Sequence, residues 1–282
     1  MSLKYTHFIP LAVVIITVVS LLASGTYINP NLYIFLIVGF SAQLIDGALG
    51  MGFGMVSTAT LLGFGINPTT ISSSVHTAEV FSSAASGMSH HRNGNINRTL
   101  FLSLLVTGII GSVIGALLLV FIADIDDSAI KVIVAAYTMI LGFRLLYLFG
   151  KRRRQQSEKS TVKNDSRVKV LALVGGFLDS FGGGGWGPVV TSTLVGRGHE
   201  PKYVIGSVNA AEFFIALASA STFFIAIGIH HWDIVLALVL GGVAAAPIAA
   251  KITNKVTSNL LLLSVGLLVI IWSSYTILKL VL

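Results

Sequence analysis

The sequence predicts an all-α integral membrane protein built from two homologous, inverted repeats. Each repeat is a glycine-broken helical hairpin plus three transmembrane helices, and one extra N-terminal helix precedes them. Three observations carry this. The chain is 54% hydrophobic and only 10% charged, with a mean hydropathy of +0.88, whereas soluble domains carry about 25% charged residues. Its apolar runs Leu100–Ala123, Ile130–Gly150, Tyr203–Gly228, Ile234–Ala250 and Leu260–Leu282 have the roughly 20 residues a span requires. The chain also repeats itself. Asp46 aligns with Asp179, Gly50 with Gly183, Gly52 with Gly185 and Gly54 with Gly187, and the register continues without a gap to Phe81 on Phe214. The same shift pairs Thr58 with Thr191, Thr60 with Thr193, Gly63 with Gly196, Gly65 with Gly198, Pro68 with Pro201 and Glu79 with Glu212. A unit used twice fixes the architecture before any single motif does.

In chain order, residues 1–30 form an N-terminal transmembrane helix with its apolar core at 8–24. The run Phe8–Ala23 is slightly long for a signal-peptide core and no small-x-small cleavage site follows, so it reads as an uncleaved helix. Repeat 1 occupies 31–150. Its first segment, Leu32–Leu62, would reach about 46 Å as one helix at 1.5 Å per residue, against a hydrocarbon core of about 30 Å. It must break at Gly47, Gly50, Gly52 and Gly54, either as an interrupted span or as a hairpin that enters and leaves on one side. A basic loop, 151–169, separates this half from repeat 2 at 170–282.

Charge placement chooses between the two. The loop after the first hairpin and its helix carries Arg92 and Arg98, the next carries Asp124, Asp126 and Asp127, and eight of the 18 Lys and Arg residues lie in Lys151–Lys169. If Val170–Val195 is also a hairpin, all basic residues except Lys131 and Lys279 fall on one side, which the positive-inside rule assigns to the cytoplasm. The N-terminus and loop 151–169 are then cytoplasmic. A hairpin plus three spans is an odd number of crossings, so the second repeat is inverted and the two glycine tips approach near the midplane. The net charge of +7 is thus an orientation signal, not a nucleic-acid surface. The absence of cysteine removes thiolate chemistry and cysteine metal sites.

The second arm of each hairpin starts just after its glycines, at Phe53-Gly54-Met55 and Trp186-Gly187-Pro188. A helix N-terminus offers free N–H groups and partial positive charge, and glycine lets a ligand reach them, so two such ends facing one cavity suit a small oxyanion. Gly50, Gly52, Phe53, Gly54, Ser57, Thr58, Gly183, Gly185, Trp186, Gly187, Thr191 and Asn209 are the candidate substrate-binding residues, with Phe53 and Trp186 as walls and Gln43 as a further hydrogen-bonding candidate. Close helix packing would also select small residues here. The helix after the first hairpin carries Ser72, His76, Glu79, Ser83 and Ser86 at helical spacing, a polar stripe on an apolar helix. Its counterpart carries Asn209, Glu212 and Ser219. An intramembrane carboxylate is costly and usually lines a cavity or proton path, so Glu79, Glu212 and His76 are candidates for proton coupling. Asp46 and Asp179, beside the tips, read as caps that organise the turns. No metal site, catalytic residue or cofactor motif is found: Gly182–Gly185 is followed by no Lys-Ser/Thr and follows no strand, and hydrolase patterns are missing.

At these residues the chain resembles the sulfite exporter TauE/SafE family of membrane permeases. The resemblance rests on Gly47-x-x-Gly50-x-Gly52-x-Gly54, on Asp179 followed by the glycine run to Trp186-Gly187-Pro188, on His90-His91-Arg92-Asn93-Gly94-Asn95-Ile96-Asn97, and on the small-residue helix Gly108–Gly115. It implies two homologous halves and the movement of small sulfur-containing or organic anions, such as sulfite and sulfonates, across a bacterial cytoplasmic membrane. The chain departs from the family at Met51, where a third glycine is usual, and at Met55, where a proline often follows. The expected partners are a small anionic substrate and the lipid bilayer, with no nucleic acid; oligomeric state is not legible. The reading is a secondary transporter, with an uncoupled anion channel or a non-transport membrane protein as the alternatives. Tips packed tightly together would speak for the last of these.

Overall fold

The computed structural model describes residues 31–152, 166–228, 231–252 and 258–282. The expected first span, 8–24, and residues 153–165 of the basic loop lie outside them. The described elements are helical, with no strand among them: α1 (Leu32–Leu49), α2 (Phe53–Gly63), α3 (Pro68–Arg92), α4 (Arg98–Ile125), α5 (Asp127–Arg152) and α6 (Ser166–Gly182). A π-helical turn (Gly187–Thr191) then runs into α7 (Ser192–Gly196), followed by α8 (Pro201–Ile227), α9 (Trp232–Ile252) and α10 (Ser258–Val281).

The long run Leu32–Leu62 breaks at its glycines. Gly50 ends α1 at φ 66°, donating its N–H to the Asp46 carbonyl at 2.6 Å, and Gly52 takes φ 152° before α2 begins. The two arms fold back on each other, so that Phe35 near the start of α1 and Phe64 just past α2 stand 6.1 Å apart, ring to ring. The corresponding turn after α6 uses Gly183 at φ 70° and Gly184 at φ 155°. The two turns differ by one position. Met51 stands where the second turn has Gly184, and a residue with a Cβ resists positive φ; the second left-handed step therefore moves on to Gly52. Pro68 and Pro201 open α3 and α8, where a missing N–H costs nothing. Asn67 and Asn97 cap α3 and α4 by accepting from Thr70 and Leu100 N–H at 2.8 and 3.0 Å.

The most extensive helix contacts run between the halves. α1 packs on α9 and α6 on α4; α3 packs on α8 and α5 on α10; α8 also touches α4, and α3 touches α9. Exchanging each element for its sequence counterpart returns the same set. Small residues make these crossings possible: Gly111 and Gly115 of α4 lie against the Leu173 and Phe177 backbone, Gly176 against Gly108, and Gly241 against Leu36 and Phe40.

Four described segments are long and apolar enough to cross a membrane, Arg98–Ile125, Ser128–Leu148, Pro201–Ile227 and Leu262–Leu280, with shorter apolar helices at Leu32–Gly47, Phe53–Gly63 and Trp232–Ala245. The expected span Ile234–Ala250 falls in the last of these shorter ones. Large apolar side chains face outward while a set of polar side chains is buried. Val106, Ile114, Phe121, Phe224 and Ile225 are exposed, whereas Ser72, His76, Glu79, Asn209, Glu212 and Ser219 are buried. That inversion suits lipid as the solvent.

Candidate functional site

The two glycine turns meet at the centre of the fold. Gly184 lies against the backbone of Gly54 and Met55, and Gly187 against Gly50 and Met51; a Cβ on Gly187 would stand 2.7 Å from the Gly50 carbonyl oxygen. Two threonines lock the turns reciprocally. Thr58 Oγ1 donates to the Gly183 carbonyl, and Thr191 Oγ1 donates to the Gly50 carbonyl at 3.1 Å. The tips are thus in direct backbone contact, and close approach is the first reason for their glycines. Gly185 packs beside the Tyr137 hydroxyl.

The helix starts at the tips face the protein's own acids. Asp179 Oδ1 accepts from the Trp186 N–H at 2.8 Å, and Glu79 Oε1 stands 2.9 Å from where a Cβ on Gly54 would be. Carboxylates are favourable partners for the partial positive end of a helix. An anion bound at these groups would therefore have to replace one of them. Phe53 and Trp186 sit in separate apolar clusters, and Trp186 Nε1 donates to the Val208 carbonyl at 3.2 Å.

His76 of α3 joins this centre across the halves. Its Nδ1 is 2.7 Å from the Ser72 carbonyl oxygen and its Nε2 is 3.1 Å from Asp179 Oδ2. Glu79 Oε2 lies 4.0 Å from the same Nε2. One polar atom each from His76, Glu79 and Asp179 lies within 4.8 Å of the others. The triad draws on α3 and α6, far apart in sequence.

Several fully buried polar atoms around the tips have no hydrogen-bond partner among the described residues: Gln43 Oε1, Ser57 Oγ, Glu79 Oε2, Tyr137 OH, Ser180 Oγ, Ser219 Oγ and both amide atoms of Asn209. Asn209 Nδ2 is 3.4 Å from where a Cβ on Gly50 would stand. Each such group costs about 1–3 kcal/mol if left unpaired. Glu212 is 6% exposed, within electrostatic reach of Asp46, Glu79 and Asp179.

Two residues at this centre escaped the sequence reading. Arg144 of α5 donates from Nε to the Pro188 carbonyl and Ser192 Oγ, both at 3.1 Å, and from Nη2 to Thr193 Oγ1 at 2.7 Å, so it holds the arm behind the second tip. A cation well inside the apolar run Ile130–Gly150, rather than at its edge like Lys131, was the available signal. Tyr137, two turns earlier on α5, is half-buried and packs against Gly182 and Gly185; no pattern in the sequence marks it.

The family described as Sulfite exporter TauE/SafE matches residues 35–276. Among curated proteins, a "Probable membrane transporter protein YtnM" of Bacillus subtilis (strain 168) is 38% identical over 253 residues, covering 88% of this chain and 83% of the relative. No solved structure matches the chain.

Proposed function

The chain belongs to the sulfite exporter TauE/SafE family, and from that premise we propose that it is a proton-coupled secondary transporter of a small sulfur-containing or organic anion in the cytoplasmic membrane. The family is one of membrane transporters, which implies a role without catalysis. Substrate class, coupling, orientation and inversion of the halves are parts of the proposal.

The observation that carries it is the Glu79 carboxyl at the start of α2, its Oε1 2.9 Å from where a Cβ on Gly54 would stand. A carboxylate there is an anion tethered in an anion site. Protonation makes it neutral and weakens its hold on the helix end, leaving that end to a substrate anion. The buried unpaired groups of Asn209, Ser57 and Gln43 supply further hydrogen bonds. Proton and anion then occupy the protein together and move in the same direction. Rocking of one half against the other, with the Thr58 and Thr191 locks opening in turn, exposes the site to alternate sides. Loop 151–169 and the N-terminus face the cytoplasm in this reading.

Proteoliposomes test it: sulfite, sulfate, thiosulfate, small sulfonates and carboxylates are offered as gradients, and anion and proton movement are followed together. Glu79→Gln, a mimic of the protonated acid, should keep anion flux and lose proton movement, and Glu212→Gln should weaken the coupling. Unchanged coupling in both variants would remove the glutamates from the mechanism. The direct contact of the tips favours one other reading, in which the glycine repeat serves packing alone; Glu79→Gln would then lower stability and leave flux and coupling as they were.

A further inference from the structure

We propose that His76 and Asp179 together hold one exchangeable proton, and that this pair ties the protonation state of the protein to the second glycine tip. The inference rests on the transport reading and deepens it by locating the coupling proton between the two halves.

The hydrogen bonds fix the count. The Ser72 carbonyl can only accept, so a nitrogen 2.7 Å from it carries a hydrogen: His76 is protonated on Nδ1. Its Nε2 faces Asp179 Oδ2 at 3.1 Å. A bare Nε2 opposite a bare carboxylate would set two lone pairs against each other in a buried site. One further proton therefore lies between them, either on Nε2 as an imidazolium beside a carboxylate or on Oδ2 as an acid beside a neutral imidazole. Both descriptions hold the same number of protons.

The pair is also a mechanical link. Asp179 uses its other oxygen, Oδ1, to hold the Trp186 N–H at 2.8 Å, so one carboxylate spans from α3 to the start of the second arm. Ser72 adds a parallel tether, donating from Oγ to the Ser180 carbonyl at 2.6 Å. Removing the shared proton turns the His76–Asp179 contact from attractive to repulsive, and the second tip loses its strongest polar hold on α3. Glu79 Oε2, unpaired at 4.0 Å from Nε2, is the nearest acceptor for the departing proton. The other groups facing the cluster are Asp46 of α1, Glu212 of α8, and Tyr137 and Arg144 of α5; the Phe223 ring of α8 lies 6.3 Å from the imidazole. The counterpart positions in the other half are Asn209 and Asp46. An amide donates without titrating, so the device exists in one half alone.

Trp186 serves as the reporter in a W232F/W272F background, which leaves it as the single tryptophan. Its fluorescence is followed against pH in the purified full-length protein, with circular dichroism confirming that the helices persist. A one-proton transition is expected in this background. It should be lost on adding His76→Asn, which copies the arrangement of the other half. Asp179→Asn should remove or shift it, because an isosteric amide donates to the bare Nε2 and supplies no carboxylate to share the proton. The same transition in either variant, or none in the background, would overturn the proposal. The titration uses no substrate, so a failed anion screen leaves it standing, while its own failure leaves an anion transporter whose proton resides elsewhere.

Discussion

Thr58 and Thr191 occupy equivalent positions and make equivalent bonds, each closing the turn of the opposite half through the Gly183 or Gly50 carbonyl. Replacing either by valine keeps the shape and leaves a buried carbonyl unpaired, at a cost of about 1–3 kcal/mol. Thr58→Val and Thr191→Val should each lower the thermal midpoint in detergent, and the double variant should fall short of the sum if the two locks open together. Strict additivity would show them to be independent. The pairing of these threonines was readable from the repeat, but their partners were not. A hydroxyl announces a hydrogen bond without naming the carbonyl it finds. Asp179 illustrates the same limit. Its place beside the turn suggested a cap, whereas its contact with His76 joins residues 103 positions apart and has no local signature. Arg144 was visible as an intramembrane cation, yet its partners at Pro188, Ser192 and Thr193 depend on how α5 lies against the second arm.

The helices themselves follow from local rules. Apolar runs give the long spans, asparagine marks the starts of α3 and α4 and proline those of α3 and α8, and the glycines end α1 and α6. The fine shape of the turns depends on one side chain, because Met51 excludes the conformation that Gly184 adopts. The arm starts where an anion is expected also carry the protein's own acids: Asp179 takes the Trp186 N–H, and Glu79 Oε1 stands 2.9 Å from where a Cβ on Gly54 would be. Helix ends attract any anion, and a sequence does not say whether the anion is a ligand or a neighbouring side chain. Crossings between helices give the clearest test at this scale. Gly111 lies against the Leu173 backbone, while Gly196 has open space where a Cβ would stand. Gly111→Ala should destabilise by about 1–3 kcal/mol through overpacking, and Gly196→Ala should change the thermal midpoint little. Equal effects at the two sites would mean that α4 and α6 do not approach as closely as described.

At the scale of the whole molecule, reciprocal packing of α1 on α9 and of α6 on α4 joins the halves so that neither buries its polar helix alone. α3 and α8 meet at the middle and bring Glu79, His76 and Glu212 to the two tips. Repetition in the sequence announced two equivalent units but not their interlocking, because the register of one half on the other is set by contacts between distant residues. The halves differ at this centre: one has the His76–Asp179 contact and the other has asparagine at the position of His76. The most direct test is the direction of proton movement when a strong-acid anion, a small sulfonate, enters proteoliposomes down its gradient. Competition between Glu79 and substrate for the start of α2 predicts that protons enter with the anion and the lumen acidifies, and that Glu79→Gln lets the anion enter without them. Anion entry with no proton movement in the unmodified protein, or with protons leaving, would contradict the account.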